Sequence, residues 1–290
     1  MTEMADSVAE RREKRQLRKQ KQRETNIIRA KKMHRIRMGS VRSEQQYELP
    51  MINIGCSGWF YWHWRGLFYP QELATTHWFN HYSNTFKTVE LNAPFYSWPT
   101  IANIRKWLQQ AEDEEFTYTI KVCELITHIK KFQGTKTLVQ DFGYIADILG
   151  SRMGCFLYQL PPSFHYTPSR LQKIVTQLDP RRRNVVEFRH GSWWNEYVYE
   201  AFRQAGIIFC SSSGPHLPED LVVTTDEVYI RFHGKKLWYL YDYSDEELIS
   251  WAEKIAPSGA KRIWAYFNND REGNSIKNAQ SFIEIIKRTI

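Results

Sequence analysis

The stretch "NVVEFRHGSWWN", Asn184 to Asn195, begins like a buried strand and yet carries several ionisable side chains. Successive side chains of a strand point to opposite faces. One face therefore carries the apolar Val186 and Phe188, and the other carries Glu187 and Arg189. The pattern predicts a strand with an apolar face against helices and an ionisable face turned toward the interior of a sheet.

Seven further short apolar runs resemble it, and amphipathic helical patterns separate most of them. They are "INIGCSGW", "KTVELN", "FTYTIKV", "CFLYQLPP", "IIFCSSS", "VYIRFHG" and "RIWAYFNND". Helix starts are indicated by Ser192, by Thr167 with Pro168, and by a capping box from Ser244 to Glu247. Eight strand–helix units predict an α/β fold, a (β/α)8 TIM-like barrel. The connection after the sixth strand, residues 214–227, contains two prolines and predicts no regular helix.

A doubly wound open sheet is the competing architecture. It usually carries a G-x-G-x-x-G sequence after its first strand, or a P-loop, and neither is present. The barrel is therefore favoured, and we predict no cofactor.

The chain divides into two predicted parts of different composition. With 290 residues, 42% of them hydrophobic, it can bury a large core. There is no apolar run long enough for a membrane span and no apolar signal segment, so we expect a cytoplasmic protein without a membrane partner. Residues 51–290 are predicted to form the barrel as a single domain, and residues 1–50 a basic extension.

The formal net charge of +8 lies almost wholly in this extension. Its first 48 residues carry 14 Lys and Arg against 7 Asp and Glu, and the rest of the chain carries 26 against 25. Charge on every face predicts a disordered segment or a frayed helix. It could be an arm that binds nucleic acid, a solvated charged run, or an upstream extension if Met51 is the natural start.

The four cysteines lie far apart, and none belongs to a C-x-x-C pair. Cys56, Cys123, Cys155 and Cys210 all fall in apolar, strand-like segments, which predicts reduced and buried thiols. We expect no metal site.

Polar side chains share one phase on six of the predicted strands, toward the carboxyl ends where barrel active sites lie. This set is Glu90, Asn92, Lys121, Gln159, Glu187, Arg189, Arg231, His233 and Asn268. The three Lys and Arg side chains of this set outnumber its two carboxylates, which favours an anionic ligand such as a phosphate or carboxylate. The alternative is that these charges only pair with one another inside the barrel.

Two aromatic loops and one histidine complete the candidate site. "GWFYWHWRGLFYP" and "APFYSWP" follow the first two strands and include Trp59, Tyr61 and Tyr96. Such side chains stack on bases or sugars, or else pack as a secondary core at the barrel top. His190 is out of phase with Glu187, and we place it in the following loop as a substrate-binding or structural residue.

Several of these stretches together resemble the YecE-like proteins, domain-of-unknown-function family 72. The similarity runs from about Ile52 to Ile290 and includes "TVELNAPFYSWP", "VEFRHGSW", "YIRFHG" and "YFNND". "NAPFY" departs from the commoner Asn-x-Thr-Phe-Tyr form, which keeps Tyr96 but removes a hydroxyl at Pro94. The resemblance implies a TIM-barrel fold and does not imply an established activity.

Three functions remain open from the sequence. The first is an enzyme such as a hydrolase or lyase that acts on a phosphorylated or nucleic-acid-derived substrate, with Glu187, Glu90 or His233 as general acid and base. The second is a non-catalytic module that binds a nucleotide or nucleic acid. The third is a glycoside hydrolase with Glu90 and Glu187 as its carboxylate pair, which the neighbouring cations disfavour because a general acid needs a raised pKa.

Overall fold

The structure, a computed structural model, describes residues 2–40, 49 and 51–290 and contains eight parallel strands. Their hydrogen-bonded order is β1-β8-β7-β6-β5-β4-β3-β2, and all seven ladders are parallel. The strands are β1 (Ile52–Cys56), β2 (Thr88–Leu91), β3 (Thr117–Lys121), β4 (Met153–Gln159), β5 (Asn184–Glu187), β6 (Ile208–Ser213), β7 (Glu227–Phe232) and β8 (Arg262–Phe267). The predicted TIM-like barrel is confirmed.

Helices cover the outer face of this barrel. They are α1 (Thr2–Met38), α2 (Trp78–Thr85), α3 (Ala93–Tyr96), α4 (Ile101–Gln110), α5 (Lys136–Leu149), α6 (Pro168–Gln177), α7 (Glu196–Ala205), α8 (Asp245–Ile255) and α9 (Asn274–Thr289). Thr167 caps α6 ahead of Pro168, and Ser244 and Glu247 form the predicted capping box of α8. Ser192 does not begin a helix of the outer layer. It lies in a short 3-10 turn, and α7 is capped instead by Asn195.

The connection after β6 lacks a helix, as predicted. Residues 214–226 between β6 and β7 form turns and irregular chain in the structure. The barrel therefore has an incomplete helical layer on this side.

A tyrosine hydroxyl joins the two strands at which the barrel would otherwise open. Among the described residues, β1 and β2 are neighbours with no ladder between them. The Tyr82 hydroxyl accepts from the Cys56 N–H at 2.9 Å and donates to the Thr88 carbonyl at 3.0 Å. The strands approach so closely that a Cβ at Gly55 would clash with the Thr88 carbonyl oxygen. Glycine is required here for close approach.

The two faces of the strands divide as their alternation predicts. Val186 and Phe188 belong to the large core between sheet and helices, whereas Val185, Tyr229 and Trp264 form a second cluster inside the barrel. The interior cluster shares its strand phase with Glu187, Arg231 and Asn268. The apolar interior therefore fills the barrel below the polar residues near the carboxyl ends of the strands.

Residues 2–38 form one continuous helix, α1, where the sequence predicts a disordered or frayed segment. Asn26, Ala30, Met33 and Arg37, spaced on one helical face, are buried. Asn26 accepts from the Trp98 N–H at 2.9 Å, and Arg37 donates to Asp141 at 2.8 Å in a buried ion pair. The prediction counted only large apolar side chains, whereas this face docks through small and polar ones.

The predicted boundary at residue 50 lies outside the described residues. Across the described residues, no helix combines the length and apolar character of a membrane span. All four cysteines are buried and form no disulfide, as predicted.

Candidate functional site

One arginine joins two strands of the barrel through their carboxylates. Arg231 on β7 donates to both oxygens of Glu90 on β2, from Nη2 at 2.5 Å and from Nε at 2.9 Å. Its Nη1 donates to Oε2 of Glu187 on β5 at 2.6 Å. All three side chains are fully buried. Together with His233 they form what we call the buried platform.

His233 completes the platform on the other oxygen of Glu187. Asn268 Nδ2 lies 3.2 Å from His233 Nδ1, and His233 Nε2 lies 2.8 Å from Glu187 Oε1. Nη2 of Arg189 also lies 3.0 Å from His233 Nε2. Both ring nitrogens are thus occupied, and the ring has no exposed surface.

Glu90 is also saturated with donors. Besides Arg231, it accepts from the Ser57 hydroxyl at 2.8 Å and from the Tyr229 hydroxyl at 2.7 Å. The neighbouring Asn92 donates to the Ser57 carbonyl at 3.0 Å. Its Oδ1 is buried and accepts no hydrogen bond from the described residues.

The electrostatics of the platform separate its ionised and neutral members. Burial raises the pKa of Glu187, but Arg189, Arg231 and His233 outweigh it and hold that pKa well below its usual range. Burial, with Arg189 and Arg231 nearby, holds the pKa of His233 well below its usual range. Burial lowers the pKa of Arg231, but Glu187 and Glu90 more than reverse this. At neutral pH the platform therefore contains an ionised glutamate, a guanidinium and a neutral imidazole.

Arg189 lies on the solvent side of the platform. Its Nε is 2.7 Å from Glu187 Oε1, and its side chain is 8% exposed. The guanidinium stacks over the Trp238 ring at 4.6 Å from the centroid. Trp238 is carried by the loop after β7, where Gly234 has a φ of 100° and a Cβ would clash with the Leu237 carbonyl. This glycine lets the loop fold back over the barrel.

Lys121 ends β3 and differs from the other cations of the set. Its Nζ lies 4.3 Å from the centroid of the Phe95 ring, and it makes no hydrogen bond or ion pair with any described residue. Burial lowers the pKa of Lys121 to about 7. Arg231 and Arg189 act in the same direction, and Glu187 and Glu90 oppose them. Lys121 is half-buried, and together with Arg189 and Tyr96 it defines what we call the mouth of the barrel.

His128 joins this group without having been predicted from the sequence. It lies in a π-helical turn, Leu125–Ile129, and its ring packs edge-on against Phe95 at 4.9 Å. Burial lowers the pKa of His128 to about 4, and Lys121 is the largest contributing charge. Single π turns are frequent at functional sites, but no strand alternation marks a residue within one.

The aromatic loops divide between a secondary core and an exposed rim. Trp59 and Tyr61 are partly buried against the core, and the Tyr61 hydroxyl donates to the Ser57 carbonyl at 2.7 Å. Tyr96 is 62% exposed beside Phe95 at the rim. The first loop is therefore mainly a secondary core, whereas Tyr96 is free to contact a ligand.

Two predicted residues lie apart from the platform contacts. Gln159 is buried and donates to the Leu160 carbonyl at 2.7 Å. His190 caps the short turn after β5 through Ser192 and stacks on His165 with ring centroids 3.9 Å apart. The structure gives His190 a local role in the loop and does not bring it to Glu187.

No three His, Cys, Asp or Glu side chains among the described residues form a group that could hold a metal ion. At the opposite end of the barrel, a groove is lined by Arg181, Arg182 and Arg183. These arginines pair with Asp179, Asp147 and Glu227. The arginines that the structure describes in this groove are therefore paired, unlike Lys121 at the mouth.

Comparisons with known proteins agree with this architecture. Residues 53–289 match the family described as "Protein of unknown function DUF72", and the chain belongs to that family. The UPF0759 protein YunF of Bacillus subtilis is 26% identical over 272 residues, which cover 81% of this chain and 95% of that protein.

Solved structures of the family share the fold. The crystal structure of a DUF72 family protein from Thermotoga maritima is 28% identical with a TM-score of 0.74, and the match covers 82% of this chain and all of that one. A DUF72 family protein from Enterococcus faecalis, 20% identical, has a TM-score of 0.69 over 82% of this chain and 96% of that one. Helix α1 precedes the family match.

Proposed function

We propose that this barrel is an enzyme that acts on a small phosphorylated substrate, a sugar phosphate or a nucleotide-derived compound, bound at the mouth formed by Lys121, Arg189 and Tyr96. The observation that carries the proposal is the unpaired ammonium group of Lys121 beside a fully paired platform. An unpaired cation in a half-buried site favours an anion that replaces the missing counter-charge.

The charge balance supports an anionic ligand. Glu90 and Glu187 are matched by Arg231 and Arg189, and His233 is neutral because its pKa is lowered. Lys121, whose pKa is lowered to about 7, supplies the remaining positive charge in its protonated form. Asn92 Oδ1, which accepts nothing from the described residues, offers an acceptor for a substrate hydroxyl.

The platform itself suits positioning better than proton transfer. Glu90, Glu187 and His233 remain predicted acid–base residues, but each is fully buried and saturated with partners. The lowered pKa of Glu187 opposes the glycoside-hydrolase alternative, which requires a protonated carboxyl group. In the proposed function these groups hold Arg231 and Arg189 in place below the ligand.

The proposal is tested by calorimetric titration with inorganic phosphate, followed by turnover assays on a panel of sugar phosphates and nucleotides at pH 7. Lys121→Met and Arg189→Ala should each weaken phosphate binding by about tenfold, or ~1.4 kcal/mol. Arg105→Ala, an exposed residue of α4, is the matched control. Unchanged phosphate affinity in both mouth variants, or no phosphate binding by the unaltered chain, would overturn the proposal.

A second candidate is binding of nucleic acid along α1, supported by the position of this helix. Arg29 donates to the Trp98 carbonyl at 3.1 Å, and Asn26 donates to the Tyr96 carbonyl at 3.0 Å, so the helix docks at the rim of the mouth. Residues 8–21 beyond this point are exposed and carry seven Lys or Arg against two Glu. At about 1.5 Å per residue they extend roughly 20 Å and match a phosphate backbone in charge.

This candidate is tested by fluorescence anisotropy with a labelled single-stranded oligonucleotide across a salt series. The test variant carries Arg11→Glu, Arg15→Glu and Arg18→Glu; the control carries Arg105→Glu, Lys106→Glu and Lys173→Glu, an equal charge change on α4 and α6. The α1 variant alone should flatten the slope of log affinity against log salt by about 2. Equal slopes for the two variants would exclude α1 as the binding surface.

A further inference from the structure

We propose that Nζ of Lys121 is a nucleophile that condenses with the carbonyl group of an aldehyde or ketone substrate and forms an imine at the mouth of the barrel. This inference deepens the proposed function. It rests on that function in one respect only, namely that the substrate carries a phosphate group. It assigns Lys121 a covalent role in place of a purely electrostatic one.

The geometry of Lys121 separates it from a structural lysine. Lys121 is the last residue of β3, and its amine lies beside the Phe95 ring without a carboxylate partner among the described residues. By contrast, Lys87, Lys235 and Lys277 form ion pairs with acidic residues at the surface. An amine that has neither hydrogen-bond acceptor nor counter-ion within the described residues keeps its lone pair available when it is neutral.

The surroundings favour the neutral amine from several sides. Arg231 from β7, Arg189 after β5 and His128 from the π-helical turn face it, with Glu90 and Glu187 as the opposing charges. Burial and the two guanidinium groups lower the pKa of Lys121 to about 7, so about half of the amine is unprotonated at pH 7. An ordinary lysine, with a pKa of about 10.4, has well under 1% of its amine in that form. Desolvation and a neighbouring cation are the established means of activating a lysine as a nucleophile.

The chemistry needs no co-reactant beyond water. The Nζ lone pair attacks the carbonyl carbon to form a C–N bond, and the carbonyl oxygen takes up a proton to give a carbinolamine. The first proton on this oxygen comes from the attacking nitrogen and a second comes from solvent. The oxygen then leaves as water while the nitrogen lone pair forms the C=N bond, so that amine, carbonyl and one proton give a protonated imine and one water molecule. Arg189 lies within the same mouth to hold an anionic group of the substrate.

The experiment uses pyridoxal 5′-phosphate and pyridoxal as probes on the full-length chain, with sodium borohydride to reduce the imine and peptide mass spectrometry to locate it. At pH 7 Lys121 should be labelled at least about tenfold faster than the exposed Lys173, because far more of its amine is neutral. Its labelling rate should level off above about pH 8, whereas that of Lys173 should keep rising toward pH 10. Lys121→Met should lose this fast labelling and leave the labelling of Lys173 unchanged.

The two probes separate this inference from the phosphate site. If Lys121 reacts fast with both aldehydes and Arg189→Ala slows only the phosphorylated one, both proposals are supported. If both aldehydes react equally and Arg189→Ala has no effect, the nucleophile stands and the phosphate contact fails. If Lys121 is labelled no faster than Lys173 by either probe, the nucleophile is rejected, and binding of inorganic phosphate still tests the site independently.

Discussion

The platform and the mouth lie close enough for their charges to interact, yet their cations are in opposite situations. Arg231 is surrounded by carboxylate oxygens from Glu90 and Glu187 and has no exposed surface. Among the described residues, Lys121 forms no ion pair, and its Nζ lies over the face of Phe95. Burial acts against the charged form at both positions, but only the arginine has partners that reverse the effect. The same barrel therefore holds one buried cation fixed by carboxylates beside another that has no carboxylate partner among the described residues.

The largest expected effect comes from removing the paired cation. Arg231→Met should lower the free energy of unfolding by about 3–5 kcal/mol, because two buried carboxylates lose their partner. Chemical denaturation of the purified variant measures it, and the exposed Arg105→Met serves as control. A loss no greater than that of the control would mean that the platform contributes little to stability.

Acid should weaken the platform through its neutral histidine. The pKa of His233 is lowered in the folded state, so the unfolded chain binds a proton first, and stability falls as the pH drops below about 6.5. For one proton the loss is about 1.4 kcal/mol per pH unit, or ~2 kcal/mol at pH 5. Denaturation at pH 5, 6 and 7 should show a steeper decline for the unaltered chain than for His233→Phe. Parallel declines would contradict the neutral ring.

Removing the cation at the mouth should have the opposite effect on stability from removing Arg231. Lys121→Met removes a half-buried cation without a partner and should raise stability at pH 7 by about 1–2 kcal/mol, a typical penalty for an uncompensated polar group. The folded pKa of about 7 lies below that of the unfolded chain, so the unaltered protein gains stability as the pH rises from 7 toward about 10.4. The advantage of the variant should shrink over that interval in thermal or urea unfolding. A destabilised variant at pH 7 would show that Lys121 is satisfied in its site.

The smallest effect is expected at the rim. Tyr96 is 62% exposed, and its replacement by Ala should change stability by less than about 0.5 kcal/mol. Thermal unfolding of Tyr96→Ala measures this directly, with the buried Phe95→Ala as the contrasting variant. A large loss in Tyr96→Ala would assign this residue to the core instead of the ligand surface.

Much of the fold could be predicted from strand alternation and helix-start signals. The eight apolar runs, the absent helix after β6 and the capping box at Ser244 all correspond to observed features. Helix α1 could not be predicted in the same way. Its docking face relies on Asn26 and Arg37, whose burial is stable only because Trp98 and Asp141 supply matching polar groups from distant parts of the chain.

The residues of the candidate site, too, could be predicted only in part from the sequence. Alternation within the strands indicates that Glu90, Glu187 and Arg231 face the barrel interior, and they do. It cannot indicate His128, which lies in a π-helical turn, or Trp238, which comes from the loop after β7. Neither position has a periodic pattern from which its direction could be predicted.

The sequence by itself determined which side chains turn inward, because the period of a strand is local and each apolar partner marks the opposite face. Only the tertiary structure decided which charges neutralise one another. Glu90 and Arg231 are 141 positions apart and meet because closure of the barrel brings β2 and β7 to the same interior. The same closure leaves Lys121 facing an aromatic ring. Which charges pair depends on distances across the barrel, and the sequence of a single strand does not contain them.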